Sequence, residues 1–264
     1  MNDYRIYIVI VFCTFAALEM LSGRFLHRSE TKSKDIILEV VAGLTIPILI
    51  APTILFTTAF VVEWWLPGSQ NAWSHWAPWQ MFAVLLIADD LSQYGWHRLS
   101  HNTPWLYAFH RAHHSGRYMS VRIVYRNSLL YYAFMPGLWL SAVLIHLGFG
   151  PVYLVYIIAK MAVIISAHSS VPWDKVLWEH RGSRAFMWVI CRIISTPMTH
   201  SAHHGRHRDD GVTHYKGNYG NFLFFWDILF GTAKISHERP QIYGIEDEAP
   251  VPWLYELLWP FPPK

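Results

Sequence analysis

The chain has 264 residues, of which 53% are hydrophobic and 15% charged, and its formal net charge is +3. So small a charge excludes the dense basic surface that nucleic acid requires, and the charged fraction lies well below the roughly 25% of an average soluble domain. Fourteen Trp, fourteen Tyr and fifteen Phe suit a bilayer instead, because Trp and Tyr favour its interfaces.

In chain order, apolar stretches near the roughly 20 residues needed to cross a bilayer lie at 4–21, 36–62, 79–96, 129–147 and 151–167. The first resembles a signal-peptide core. Its flank carries Asp3 and Arg5 and no small-x-small cleavage site follows, so it reads as a retained helix. The second carries Pro47 and Pro52 and should be kinked. The third is interrupted by Asp89 and Asp90. Acids inside a membrane helix are costly and have a partner or a function. This helix runs into His97, so one expectation is that both acids orient metal ligands; the other is that they face an aqueous cavity. Cys13 and Cys191 are far apart, and no disulfide is expected.

Basic residues set the orientation. Arg24, Arg28, Lys32 and Lys34 follow the first span, and none occurs at 64–78. Arg98, Arg111, Arg117, Arg122 and Arg126 follow the third span, and none occurs around Gly148 and Gly150. Everything after His168 carries ten Lys or Arg. Under the positive-inside bias, five spans with an outside N-terminus fit this alternation, and four fit if the first lies in the interface or is removed. Residues 168–264 are more polar and broken by Gly and Pro, as in a cytoplasmic cap. The tail VPWLYELLWPFPPK is amphipathic and suits a membrane surface. The expected fold is all-α: an integral-membrane bundle of four to five spans with a cytoplasmic helical cap. N-terminal spans occupy 1–78, a histidine-rich core 79–245 and an aromatic interfacial tail 246–264.

Three histidine clusters stand out: His97 and His101; His110, His113 and His114; His200, His203 and His204. Positions i, i+3 and i+4 share one helix face, so each cluster can aim its rings at one point. Imidazole binds iron, zinc, copper and nickel. One tetrahedral zinc needs about four ligands, so eight converging imidazoles argue for two metals. Asn102, Thr103 and Pro104 break the first helix from the second, and Pro197 can start the third. His207 shares the last face, but it sits between Arg206 and Arg208 and reads as a solvated residue.

These boxes, HRLSH (97–101), HRAHH (110–114) and HSAHH (200–204), with NYGNFLFFWDILFGT (218–232), resemble the fatty acid hydroxylase and sterol desaturase superfamily. Gly205, Arg206 and YGI (243–245) resemble its bacterial and alkylglycerol-monooxygenase-like branch. The likeness covers roughly 85–245. It implies two iron ions held almost wholly by histidine, with O2 as co-substrate; zinc may replace iron in a purified sample. Spacing alone does not choose between those metals. The resemblance adds His168 as a ninth ligand. Carboxylates would then orient the rings from outside, with Asp89, Asp90, Asp209, Asp210 and Asp227 as candidates; Asp227 could equally cap a turn. It also points to an arginine near the second box, Arg122 or Arg126 beside Asn127, although an interfacial arginine on lipid phosphate is the plainer expectation. His180, His207 and His214 stay open as completing ligands. His27, His75, His146 and His237 are not read as ligands.

The implied activity is hydroxylation of a membrane lipid at a C–H bond, on a fatty acyl, sterol or ether-lipid chain. Desaturation on the same site is the alternative. A membrane metal transporter is the rival from another class; it would hold ligands at mid-membrane, whereas these gather at one face. A bis-histidine haem protein leaves six histidines unexplained, and no HExxH motif marks a zinc protease. Gly-rich dinucleotide loops and cysteine clusters are lacking, so electrons are expected from an external ferredoxin, cytochrome b5-type protein or reductase. The expected location is a bacterial inner membrane, with the metal site on the cytoplasmic side.

Overall fold

Residues 5–26, 30–247 and 251–258 are described by a computed structural model, and among them every regular element is a helix. Two helices, Ser33–Trp65 and Pro136–His168, are long and apolar enough to cross a membrane. At 1.5 Å per residue the first is roughly 50 Å long, beyond the roughly 30 Å hydrocarbon core. Phe56, Phe60 and Trp65 on it are 77%, 74% and 77% exposed. Apolar flanks of this kind suit lipid rather than water, as in a membrane protein. The kink expected at Pro47 and Pro52 takes the form of one wide helical turn, Ile46–Ile50, inside this helix. Ile6–Leu21 is apolar but shorter.

The predicted spans at 129–147 and 151–167 fall largely on the second long helix, which is broken at Gly148. Gly148 has a φ of 113°, a left-handed backbone that L side chains avoid. A Cβ there would also lie 2.9 Å from the Ser74 backbone nitrogen. The carbonyls of His146 and Leu147 accept the N–H groups of Asn71 and Trp73 at 2.9 and 2.8 Å. The chain reverses here. Gly137, near the start of this unit, packs on Asp89, and His168, at its end, packs on His113.

The acid-bearing helix runs from Pro78 through a wide turn at Leu86–Leu91 to Asn102. Met81, Leu85, Leu144, Phe149, Tyr156 and Phe222 form the core beside it. Asp89 accepts from Lys160 at 2.8 Å, with both side chains buried. Asp90 accepts the Trp226 indole N–H at 2.8 Å and the Leu223 N–H at 3.2 Å. The hydrogen bonds of these acids therefore run to a lysine, an indole and a backbone N–H rather than to a histidine, and they join separate segments inside an apolar layer.

The described part of the tail packs one face on the fold and leaves Leu254 and Leu258 exposed. Trp253–Leu258 is a helix with Glu256 and Leu257 buried. Leu257 packs with Leu38 and Ala112. Residues 248–250 and 259–264 of the tail lie outside the described residues. Cys13 and Cys191 are unbonded.

Candidate metal centre

Four local devices position the histidines. The helix Ser92–Asn102 carries His97 and His101 one turn apart. Thr103 is extended, with φ −122° and ψ 112°, and Pro104 opens the helix Pro104–His114 that carries the second box. Pro197 opens Pro197–His203, where the Thr199 hydroxyl takes the Thr196 N–H at 2.9 Å. His168 is the last residue of Gly150–His168.

The folded chain sorts nine buried histidines into two groups. One holds His97, His101, His110, His114 and His203; the other holds His113, His168, His200 and His204. Ligating atoms within each group all lie within 4.8 Å of one another. In the first group the Nε2 atom of His97 lies 2.9 Å from that of His110 and 3.0 Å from that of His203, and His110 lies 3.1 Å from His114. In the second, His168 lies 3.2 Å from His113 and 2.9 Å from His200, which lies 3.2 Å from His204. The groups are adjacent: the His114 and His204 rings stack with centroids 4.5 Å apart.

The outer ring nitrogens explain why these close approaches call for a cation. Nδ1–H of His97 donates to the Tyr219 carbonyl, that of His203 to Gly217, that of His113 to Ile123 and that of His168 to Ile164, at 2.7, 2.7, 3.1 and 2.8 Å. His110 Nδ1 meets Asn127 Oδ1 at 2.8 Å. A carbonyl only accepts, so each of these rings keeps its proton on Nδ1 and turns the Nε2 lone pair inward. Lone pairs facing one another at 3 Å repel unless a positive centre lies between them. Burial, ahead of repulsion among neighbouring rings, lowers His114, His200, His203 and His204 well below the usual histidine range. The folded rings thus stay neutral, the form that binds metal. Below about pH 6.5 the unfolded chain takes up protons first, and acid favours unfolding.

Metal ions fit this set. With metal–nitrogen bonds of about 2.1 Å, ligands at right angles sit about 3.0 Å apart and tetrahedral ones about 3.4 Å. The spacings here, 2.9–3.2 Å, fall in the range that such bonds produce. Two buried ring atoms, His101 Nε2 and His200 Nδ1, have no hydrogen-bond partner.

Asp227 caps the turn that leads to His97's carbonyl partner. Its carboxylate accepts the N–H groups of Tyr219 and Gly220 at 2.8 and 2.6 Å and the Thr232 hydroxyl at 2.6 Å. The Tyr219–Gly220 peptide, whose Gly220 N–H it binds, is joined through the Tyr219 carbonyl to His97. Asp227→Asn replaces one acceptor oxygen with a donor that faces a donor. We expect metal retention to weaken by about 10–100-fold, the usual range for an outer partner of a ligand. Chelator competition measures this, and wild-type retention in the variant would show that Asp227 acts on the turn alone.

Arg126 is fully buried rather than on lipid phosphate. Its guanidinium lies 2.9 Å from Asp35 and 3.3 Å from Glu256, and donates to the Ala112 carbonyl and Ser115 hydroxyl at 2.8 Å each. Arg122 pairs with Glu39 at 2.7 Å, and the Tyr118 hydroxyl donates to the same carboxylate. Glu19 is buried and accepts from Ser120, Val121, Ser169 and Ser170, tying the loop after the second box to the loop after His168. The sequence reading does not single out Glu19, Asp35, Glu39 or Glu256. Asp209 is exposed, and Asp210 holds the turn at Val212 and Thr213. His207 is exposed beside Glu246 at 3.3 Å, His180 is exposed beside Ser183, and His214 meets the Thr232 carbonyl at 3.2 Å. His75, His146 and His237 also lie outside both groups, and His27 lies outside the described residues.

Comparison with known proteins fits this arrangement. Human alkylglycerol monooxygenase is 26% identical over 180 residues, covering 64% of this chain and 34% of that protein. The Danio rerio alkylglycerol monooxygenase is 25% identical over 175 residues, covering 66% and 33%. A Danio rerio cholesterol 25-hydroxylase-like protein is 29% identical over 161 residues, covering 58% and 55%. The chain thus spans about a third of the length of the alkylglycerol monooxygenases. No solved structure matches it significantly. The profile of the family described as fatty acid hydroxylase matches residues 82–232, which include all nine grouped histidines and Asp227. More than half of the chain lies in that match, and the chain belongs to the fatty acid hydroxylase family.

Proposed function

We propose that this protein is an O2-dependent di-iron hydroxylase of a membrane lipid, seated with its histidine face on the cytoplasmic side of a four- to five-span bundle. One observation carries the reading: nine buried imidazoles fall into groups of five and four, and in five of them an outer acceptor at Nδ1 turns the Nε2 lone pair inward. The names of the relatives, an alkylglycerol monooxygenase and a cholesterol 25-hydroxylase-like protein, support a lipid substrate and hydroxylation. The basic residues gathered with the histidines support the orientation.

Two bound iron ions would supply the O2-driven oxidation of an unactivated C–H bond. The chain's own residues do the rest. The carbonyls of Tyr219, Gly217, Ile123 and Ile164 hold the rings in one tautomer, so ligand orientation is set before metal arrives. Burial keeps bulk water from the rings; His203 is 0% exposed and His101, the most open of the nine, 9%. The overall change converts C–H, O2, two electrons and two protons into C–OH and water. The two electrons come from an external ferredoxin, cytochrome b5-type protein or reductase.

Product formed under 18O2 tests this. Hydroxylation puts one labelled oxygen into the lipid. A product two hydrogens lighter with no label would make the protein a desaturase, and no lipid product from the reconstituted chain with an electron donor would sink the oxygenase reading.

A further inference from the structure

Among the described residues, a cavity reaches the histidines. It has a volume of about 370 Å³, and of the nine grouped rings only His101 and His114 line it. Both belong to the five-histidine group. The other group is sealed from this cavity. Pro104, Tyr107 and Ile245 give the cavity apolar wall.

Its polar lining is lopsided in charge. Arg206, Arg208 and Lys216 line it against a single carboxylate, Glu246, which is itself paired with His207 at 3.3 Å. Arg208 and Lys216 are exposed at the rim, and the Arg208 guanidinium lies 4.9 Å from the Tyr215 ring centroid. Arg206 is half-buried, its Nε–H is shut off from solvent without a hydrogen-bond partner, and the residue also borders a second cavity lined by Glu30 and Arg117. The Arg206 backbone is fixed by its N–H to the Ile242 carbonyl at 3.0 Å. Three cationic residues against one carboxylate in a cavity wall suit a phosphate or carboxylate group, which a guanidinium can meet through two parallel hydrogen bonds. Gly205, next to it, allows close packing of the wall: a Cβ there would collide with Thr213 and Pro240.

We propose that this cavity selects amphiphiles with an anionic, phosphate-class head, held by Arg206 and steered by Arg208 and Lys216, with the apolar body running toward His101 and His114. The inference rests on the lipid-oxygenase reading for the use made of the bound molecule, while the binding itself is measured without turnover. A neutral head such as glycerol leaves the excess positive charge of the lining unanswered, so the cavity discriminates by charge.

The test uses the full chain in neutral detergent and three probes: dodecyl phosphate, 1-dodecylglycerol and inorganic phosphate. Dodecyl phosphate is expected to bind at least tenfold tighter than 1-dodecylglycerol, and more weakly as salt rises. Arg206→Gln should weaken dodecyl phosphate about tenfold and leave 1-dodecylglycerol unchanged, with Arg206→Lys falling between. Unchanged metal content and melting temperature show that the variant is folded. If Arg206→Gln misfolds, the double variant Arg208→Gln/Lys216→Gln, on two exposed side chains, takes its place with the same expected direction. Equal affinity for the two amphiphiles, or variants that bind dodecyl phosphate as the wild type does, overturns the proposal. Inorganic phosphate binding as tightly as dodecyl phosphate also overturns it, because the cavity would then be a phosphate site with no lipid role. Absence of an oxygenated product in the 18O2 experiment leaves these affinities untouched, so the two readings fail separately.

Discussion

His97→Ala is expected to lower the metal content of reconstituted protein from two atoms per chain to one, and His168→Ala to do the same at the other position. The reason is where each ring sits in its group. His97 has two neighbouring Nε2 atoms, those of His110 and His203, at 2.9 and 3.0 Å. His168 lies between His113 and His200 at 3.2 and 2.9 Å. Removing either opens a gap in one group and spares the other, because no ligand is shared between them. Turnover should fall in both variants by more than the about 10–100-fold expected when only an outer partner is lost. His207→Ala is the control: that ring is exposed on Glu246, and two metals per chain should remain. Elemental analysis of protein refilled with iron under anaerobic conditions reads all three. If His97→Ala and His168→Ala both keep two metals, the two-group assignment is wrong.

The part of this site that is legible in sequence is the part with a local period. HxxxH and HxxHH place rings on one helix face whatever the rest of the chain does, and Pro104 and Pro197 mark where two of those helices begin. His168 has no such spacing and enters only through resemblance to a family. What pins the rings is less visible. Four of the outer acceptors are backbone carbonyls, at Tyr219, Gly217, Ile123 and Ile164, and a carbonyl has no residue type to betray it.

Buried charge behaves the same way. Asp89 looks like a residue aimed at His97 because it lies eight positions before it in one helix. Its partner is Lys160, 71 residues away, and only the tertiary fold chooses between them. Glu39 sits within an apolar stretch and meets Arg122, 83 residues on. Costly charge in an apolar run signals that a partner exists. It does not say which.

Arg126 carries the largest expected effect on stability. It is 0% exposed, and its charge is answered by Asp35 at 2.9 Å and Glu256 at 3.3 Å. Removing one member of such a buried set leaves uncompensated charge, at a typical cost of about 3–5 kcal/mol. Arg126→Gln should therefore lower stability by about that amount, read by unfolding in detergent. A second consequence follows from its other bonds. Arg126 donates to the Ala112 carbonyl and the Ser115 hydroxyl, which flank His113 and His114 at the end of their helix. Metal retention should fall along with stability. The combination Arg126→Met/Asp35→Leu/Glu256→Leu separates the two effects. It removes Arg126 with its two nearest carboxylates, leaving Glu39 on Arg122 and the partly exposed Arg111 without Glu256, and buried ion sets replaced by apolar groups regain stability. It does not restore the bonds to Ala112 and Ser115, so metal retention should stay low. Recovery of both in the triple variant would mean that Arg126 serves the fold alone, and a wild-type melting temperature in Arg126→Gln would mean that the cluster is not a buried ion set.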